Sequence, residues 1–411
     1  MTRLLYLANM RLPTEKAHGL QIVQNCEAFA DLGLAVELWA ARRFNVAALR
    51  HIDDVWSHYG VRHNFVVRRI PCIDLMPLVP NQSNIFSHFV FHLQLLTYVA
   101  FVFLRLLVTR AEFYYTRELW VVLAASLIKP RQHIVYEVHR LNGSRVGRRL
   151  QAMAARRAGT LIPITQHLAD GLIERGAKAE RILVAHDGIR AERFADVPSQ
   201  SEARAHIGWP QEAFIVGYVG RLQTMFMDKG VGTLLEALSR LEGVSLALVG
   251  GPDEIAQQLS QQWRESGLDE ARFLYVGHVP PGEVPRYLSA FDVCAMPLPF
   301  TTHFAYYTSA LKLFEYMAAQ RPIVVSDLPS VNEVVTHEET ALLVPPGDVD
   351  ALAAAIRRLR DDDALRTRLA TRAHELVMTA YTWQTRARRI IDFARQTQTQ
   401  PQRHQAPMDK S

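Results

Sequence analysis

The sequence reads as an α/β protein made of two doubly wound halves. Three observations lead there. The chain has 411 residues, more than a single core commonly holds. Short apolar runs suited to parallel strands alternate with segments of helical periodicity along nearly the whole length. The alternation breaks once, at a polar stretch near residues 190–210, and then restarts.

Composition narrows the class. Hydrophobic content of 49% and charged content of 21% are globular values. The net charge of +5 is a mild basic excess, with no arginine-rich run interleaved with aromatics, so nucleic acid is not an expected partner. Such an excess suits phosphorylated ligands or an anionic membrane surface. Cys26, Cys72 and Cys294 lie far apart and form no CxxC, which predicts reduced, buried thiols and a cytoplasmic protein. The first apolar run breaks by Asn9 and is too short for a signal peptide.

The elements follow in order. Leu4 to Ala8 is a strand, and the stripe Leu20, Val23, Ala28, Phe29 and Leu32 is a helix closed by Gly33. Val36 to Trp39 is the next strand, so the chain opens with a Rossmann-like βαβ unit whose first loop, at His18 and Gly19, is a ligand position. Residues 41–84 read as irregular, with prolines at 71, 77 and 80. Phe89 to Val108 is the most hydrophobic segment and reads either as a helix packed on the sheet or as one lying on a bilayer. Strands at 113–116, 134–138, 160–164 and 182–185 alternate with helices at 119–128, 142–158 and 166–175. The 142–158 helix is basic, through Arg145, Arg148, Arg149, Arg156 and Arg157.

After the break, strands are expected at 214–219, 245–249, 273–276, 291–296, 323–325 and 341–344, with helices between them. The helix after Thr308 and Ser309, either of which can cap it, carries Lys312 and Glu315 on one side. Pro322 ends that helix. Helices at 350–360, 363–378 and 381–395 close the fold, and the Gln/Thr/Pro-rich tail from 397 to 411 reads as disordered. The domain division is 1–192, a linker at 193–210, and 211–380, with the helix near 381–396 left over.

Tandem sheets of this kind leave a cleft where their carboxyl-end loops meet, and those loops carry suitable chemistry. Arg221 stands at a strand end beside Gly220, and Lys229 at a helix start before Gly230; two cations and a glycine-lined helix start suit a diphosphate. The helix at 308–319 adds N–H groups, and Glu315 can accept both hydroxyls of a ribose. The plain alternative for that helix is a surface ion pair between Lys312 and Glu315. His139 ends a strand, where it can bond a sugar hydroxyl or serve only structure. Asp187, before Gly188, either faces the domain junction or forms a turn.

Val219-Gly220-Arg221-Leu222 with Asp228-Lys229-Gly230, and Ser309 to Ala318 followed by Arg321-Pro322-Ile323-Val324, resemble the donor-site motifs of family 4 retaining glycosyltransferases. Ile182 to Gly188 with Arg193-Phe194 is similar to that family's interdomain segment, and the likeness runs from Leu4 to about residue 390. The resemblance implies the GT-B architecture, two Rossmann-like domains facing across a cleft, with the last helix crossing back to the first domain. It implies a nucleoside-diphosphate-sugar donor held by Gly19, Gly220, Arg221, Lys229, Ser309, Leu311, Lys312 and Glu315, with Arg221, Lys229 and His139 as the catalytic groups. Sugar transfer with retention, by a front-face route without a metal or other cofactor, follows from it as well. The acceptor is a sugar or lipid-linked hydroxyl: the apolar segment 89–108 and the basic helix suit peripheral contact with the cytoplasmic face of the inner membrane and a lipid-linked acceptor, and the alternative is a soluble acceptor with a plain core helix. One departure stands out: the family pattern places a second glutamate at 307, where this chain has Tyr307, so that an acidic contact to the transferred sugar is either missing or replaced by the tyrosine hydroxyl or a nearby group such as His303. A nucleotide-sugar-binding protein without transfer is the other reading this departure allows. The apolar loop Met225-Phe226-Met227 is a further departure.

Overall fold

The computed structural model describes residues 2–79, 85–224 and 227–399. The tail beyond 399 and the loop residues Met225 and Phe226 lie outside the described residues.

Strands β1 (Arg3–Ala8), β2 (Ala35–Ala41), β3 (Val66–Ile70), β4 (Phe113–Thr116), β5 (Ile134–Val138) and β6 (Thr160–Pro163) form one sheet in the order β3-β2-β1-β4-β5-β6. Strand β7 (Phe214–Val219) starts the second half. A short hairpin, β8 (Gln223–Thr224) with β9 (Met227–Asp228), projects from its end. Then β10 (Val244–Val249), β11 (Phe273–Val276), β12 (Val293–Met296), β13 (Ile323–Ser326) and β14 (Leu342–Val344) complete a second sheet in the order β11-β10-β7-β12-β13-β14. Every pairing within the two large sheets is parallel, which requires crossover helices on both faces. The order reverses beside β1 in the first sheet and beside β7 in the second, and such switch points are where open sheets bind ligands.

Each sheet is sandwiched between two apolar clusters. On one side of the first sheet, Phe29 packs with Tyr115 and with Trp383, Ile390 and Ile391 of the last helix, Trp383–Thr399. On the other side, Tyr98, Val102 and Leu106 of helix Ile85–Val108 pack with Val121, Val122, Ala154 and Ala155. The last helix therefore belongs to the first sheet in space.

Several elements differ from the sequence reading, helix Val55–Tyr59 within the stretch read as irregular among them. Val66–Ile70 is a true strand inside the stretch read as irregular; it is an edge strand whose residues are largely exposed, so its apolar pattern is weak. Residues 182–185 pair with β6 only through a bridge at Ile182 and through Leu183 and Ala185 N–H bonds to Leu161 and Pro163 carbonyls. Pro163 has no N–H to return, so the ladder stops. The stretch read as linker holds helix Gln200–Ile207, started by a Ser199–Glu202 capping box. Finally, the helix expected from Thr308 or Ser309 begins at Leu311, with Ala310 at its N-cap and no side-chain cap.

Candidate active site

The second sheet builds a cradle of bare backbone. Gly220, just past β7, has a φ of +121°, and a Cβ there would stand 2.0 Å from Cε and 2.1 Å from Nζ of Lys312. Both conformation and space demand glycine. Gly250, with a φ of +126°, leaves room behind for the Gly220 carbonyl, 2.3 Å from where its Cβ would be. The two turns are laced by Gly220 N–H to Val249 O (2.6 Å) and Leu222 N–H to Gly251 O (2.8 Å). The hairpin β8–β9 then returns the chain, and Lys229 N–H donates to Leu222 O at 3.2 Å. Arg221, Lys229 and Lys312 thus converge.

Among the described residues, none of these three cations forms an ion pair. The Lys229 ammonium instead lies 4.7 Å from the centre of the Phe304 ring, and Lys312 lies 5.6 Å from that of Tyr218. Burial, then the neighbouring Lys312 and Arg221, push Lys229 down to about 7. Burial lowers Lys312 too, with Glu315 opposing and Arg221 adding to the effect. Three cations are held together at a cost in mutual repulsion that an anion would relieve.

Two helix starts face the same region without a side-chain cap, Val231–Leu238 behind Gly230 and Leu311–Ala318 behind Ala310. The hydroxyls that were expected to cap the second are engaged elsewhere: Thr308 Oγ1 donates to His303 O at 2.9 Å, and Ser309 Oγ accepts the Asp187 N–H at 2.8 Å. The first N–H groups of Leu311–Ala318 stay available for an acceptor. The alternative of a Lys312–Glu315 ion pair is not what forms, since the two are not within ion-pair distance. Glu315 is half-buried; burial raises its pKa while Lys312 and Arg193 oppose the rise. Leu311 is half-buried and packs towards the first half's core.

The first half faces this cradle with a buried ionic knot. Glu137 on β5 is fully buried and takes Arg117 Nη2 at 2.7 Å, Arg386 Nη2 at 3.2 Å, His139 Nε2 at 2.5 Å and the Tyr115 hydroxyl. Burial alone would raise Glu137, but Arg117, Arg386 and the His139 bond outweigh it and hold the carboxyl well below the usual range. His139 is itself lowered, by burial and then Arg117, despite its bond to Glu137. A neutral ring donating Nε2–H to the carboxylate leaves Nδ1 as an acceptor. His139 lines a cavity of about 420 Å³ together with Arg117, Trp120 and Arg140.

The remaining sequence candidates fall in different places. Gly19 is buried, and a Cβ there would meet Thr14 Cγ2 at 2.4 Å and the Tyr59 hydroxyl at 2.6 Å, so its visible role is to shape the first loop. His18 beside it is pushed down to about 4, by burial and then Arg117. His303 is lowered by burial, then by Lys229 and, from the opposite half, by Arg140. It therefore sits where the halves approach. The Tyr307 ring packs 5.6 Å from His167 and against the first half's core, as a contact between halves. Asp187 joins the halves: its N–H goes to Ser309, its carboxylate takes Gln21 Nε2, and its Oδ1 is buried with no partner. Sequence reasoning missed Arg117 and Arg386, whose partners are remote in the chain; Arg386 also donates to Asn25 Oδ1, 361 positions away.

The arrangement can bind a multiply charged anion on one wall, hold a diol through Glu315, and present a neutral histidine from the other wall. Among the described residues, no group of three or more His, Cys, Asp or Glu could hold a metal ion.

Residues 213–362 match the family described as glycosyl transferases group 1. The lipopolysaccharide core biosynthesis glycosyltransferase LpsD of Rhizobium meliloti is 35% identical over 224 residues, 54% of this chain and 59% of that protein. The glycogen synthase of Mycobacterium tuberculosis is 29% identical over 62% of this chain and 58% of its own length. The chain spans little more than half the length of these relatives. Among solved structures, Anabaena HepE in complex with UDP-glucose superimposes with a TM-score of 0.69 at 20% identity, covering 96% of this chain and 100% of that one. The sucrose-phosphate synthase of Thermosynechococcus elongatus does so with 0.73 at 21%, covering 96% and 99%. The resemblance to group 1 glycosyl transferases and the GT-B architecture of two facing Rossmann-like domains are thereby shown.

Proposed function

We propose that this chain, whose residues 213–362 match the group 1 glycosyl transferases, moves a sugar from a nucleoside-diphosphate donor to an acceptor hydroxyl. The observation that carries this reading is the convergence of Arg221, Lys229 and Lys312 on bare glycine backbone, none of them in an ion pair among the described residues. A leaving diphosphate gains charge as its bond to the sugar breaks, and fixed cations and helix N–H groups stabilise that charge without reorganising. Side chains thus supply the charge that other enzymes take from a metal ion. Glu315 receives the donor ribose, and His139 Nδ1 accepts a hydroxyl of the transferred sugar.

The reaction proceeds with retention. The bond from the anomeric carbon to the phosphate oxygen breaks, the acceptor oxygen bonds to that carbon on the same face, and the acceptor's proton passes to the departing phosphate. The acceptor belongs to polysaccharide, glycolipid or other glycoconjugate synthesis on the cytoplasmic side; LpsD and the amylovoran biosynthesis glycosyltransferase AmsK of Erwinia amylovora, 28% identical over 50% of this chain, support that setting by their names.

A thermal-shift panel of UDP-, GDP- and ADP-sugars with and without EDTA tests the reading. One donor raises the melting temperature at concentrations well above its Kd, with EDTA making no difference, because a ligand that binds only the native state stabilises it. No shift with any donor overturns the reading, and a shift abolished by EDTA overturns the metal-independent part.

A further inference from the structure

Helix Ile85–Val108 is apolar on both of its long faces. Val90, Leu95, Tyr98, Val102 and Leu106 are buried against the sheet. The outward side shows Phe89 (63% exposed), Leu96 (56%), Leu104 (57%) and Val108 (87%) to solvent. An 18-residue window within Phe86–Val108 has a mean hydropathy of 1.8, yet only 33% of that window is buried. A helix that merely covered a sheet would carry polar residues on its outer side. It cannot be read as spanning a bilayer, because its inner face is already part of a core.

Its neighbours extend the patch and surround it with charge of one sign. Helices Leu119–Ala125 and Arg145–Arg157 lie next to it in turn on the same face of the sheet. Trp120, Leu127 and Val146 are exposed there. None of the three helices contains an aspartate or glutamate, while Arg145, Arg148, Arg149, Arg156 and Arg157 all project outward from the third. An apolar strip bordered by arginines and free of acids complements one kind of surface, a bilayer with anionic head groups.

We propose that this face docks on an anionic membrane, with the helix Ile85–Val108 lying in the interface and the arginines of Arg145–Arg157 on the head groups. The inference rests on these helices alone. One consequence bears on the proposed reaction: the turn Met76–Leu78 touches the docking helix and also borders a cavity of about 870 Å³ where Arg42, Arg43, Arg50 and Arg69 outnumber Asp53 and Asp74, the latter paired with Arg43 at 3.5 Å. Docking puts head groups at the mouth of a basic cavity, as an acceptor borne on an anionic lipid requires. The docking helix is also tied to the first loop, through reciprocal amide bonds between Gln94 and Asn9 at 2.8 and 3.2 Å.

The test is vesicle cosedimentation of the full chain, without donor, on phosphatidylglycerol-containing and pure phosphatidylcholine vesicles. Binding is expected on the first and not the second. The triple variant Arg145→Glu, Arg148→Glu, Arg149→Glu should weaken partitioning by at least roughly a hundredfold, since each basic side chain near an anionic surface contributes about fivefold and each introduced carboxylate is repelled in addition. A second variant, Phe89→Ser with Leu96→Ser and Leu104→Ser, should lose binding as well. Its substitutions are all at exposed positions, so the thermal shift with donor should be unchanged, which separates a failure of docking from a failure of the transferase reading. A control with Arg240→Glu, Arg264→Glu and Arg357→Glu on the second half should bind as the parent does. Absence of binding to anionic vesicles, equal loss in the control, or a stable dimer in light scattering that the serine variant dissociates would each overturn the proposal.

Discussion

Lys229 carries the sharpest prediction at the scale of one residue. Its ammonium is surrounded by apolar contact and two other cations, and its pKa is down at about 7. Below that pH it is charged and favours a diphosphate; above it, the site loses one of three positive charges. UDP affinity should therefore fall as pH rises from about 6 to 9, with a proton taken up on binding near neutrality, measurable by calorimetry in buffers of different ionisation enthalpy. The ligand-free protein should show the opposite slope from this group. The unfolded chain binds the proton up to the ordinary lysine value and the folded one only to about 7, so stability rises with pH across that interval. Lys229→Ala should cut donor affinity on the order of tenfold to a hundredfold, as expected for a charged hydrogen bond, while leaving or raising the melting temperature without ligand. Gly220→Ala is a second such probe. A methyl group placed 2.1 Å from Lys312 Nζ, on a backbone with a φ of +121°, should displace the lysine and cost about 1–3 kcal/mol of stability, together with donor binding.

At the scale of elements, the sequence makes some features plain and hides others for physical reasons. Arg221, Lys229 and Glu315 are legible because each stands at a fixed offset from a strand end, a glycine or a helix start, and local rules place such residues. The start of Leu311–Ala318 is not legible. Thr308-Ser309 looks like a cap, but Ser309 is taken by the Asp187 N–H, 122 positions away. Long-range pairing overrides the local preference and leaves the helix N–H groups free, which is the condition for holding a phosphate. Strand β3 is likewise hidden, because an exposed edge does not need a continuous apolar run. The uncapped start suggests a discriminating substitution. Ala310→Asp should stabilise the helix by about 1 kcal/mol, as N-capping carboxylates do, and yet weaken nucleotide binding at least tenfold by placing a negative charge in the anion site. A rise in melting temperature combined with a loss of thermal shift by donor would meet both expectations; retained donor binding would show that the helix start is not part of the site.

At the scale of the whole molecule, the two halves are held together by the last helix. It leaves the second half near Tyr381 and crosses where Gly188 has no room for a side chain, its missing Cβ falling 2.7 Å from Tyr381 O. Ile189 N–H donates to Tyr381 O and Trp383 N–H to Ile189 O, so the outgoing and returning strands of chain are bonded side by side. The helix then delivers Arg386, 2% exposed, to Glu137 beneath the site, where it also holds the carbonyls of Ala185 and His186. One guanidinium thus connects β5, the crossing segment and the end that presents His139. Breaking such a buried pair leaves an uncompensated charge and costs about 3–5 kcal/mol, so Arg386→Met should lower the melting temperature strongly. Arg117 still neutralises Glu137 in that variant, so the loss should lie at the low end of that range; adding Glu137→Gln leaves Arg117 without its partner and should lower the melting temperature further, the two changes acting on one network and not adding. The cradle of glycines and cations proposed to hold the donor lies wholly in the other half, built on Gly220, Lys229 and Lys312. If the protein works as proposed, the Arg386→Met variant should bind UDP with nearly unchanged affinity at low temperature while its transfer rate falls, since His139 and the closure of the halves depend on the knot and the phosphate site does not. Equal losses in nucleotide affinity and in rate would instead mean that the knot shapes the cradle itself.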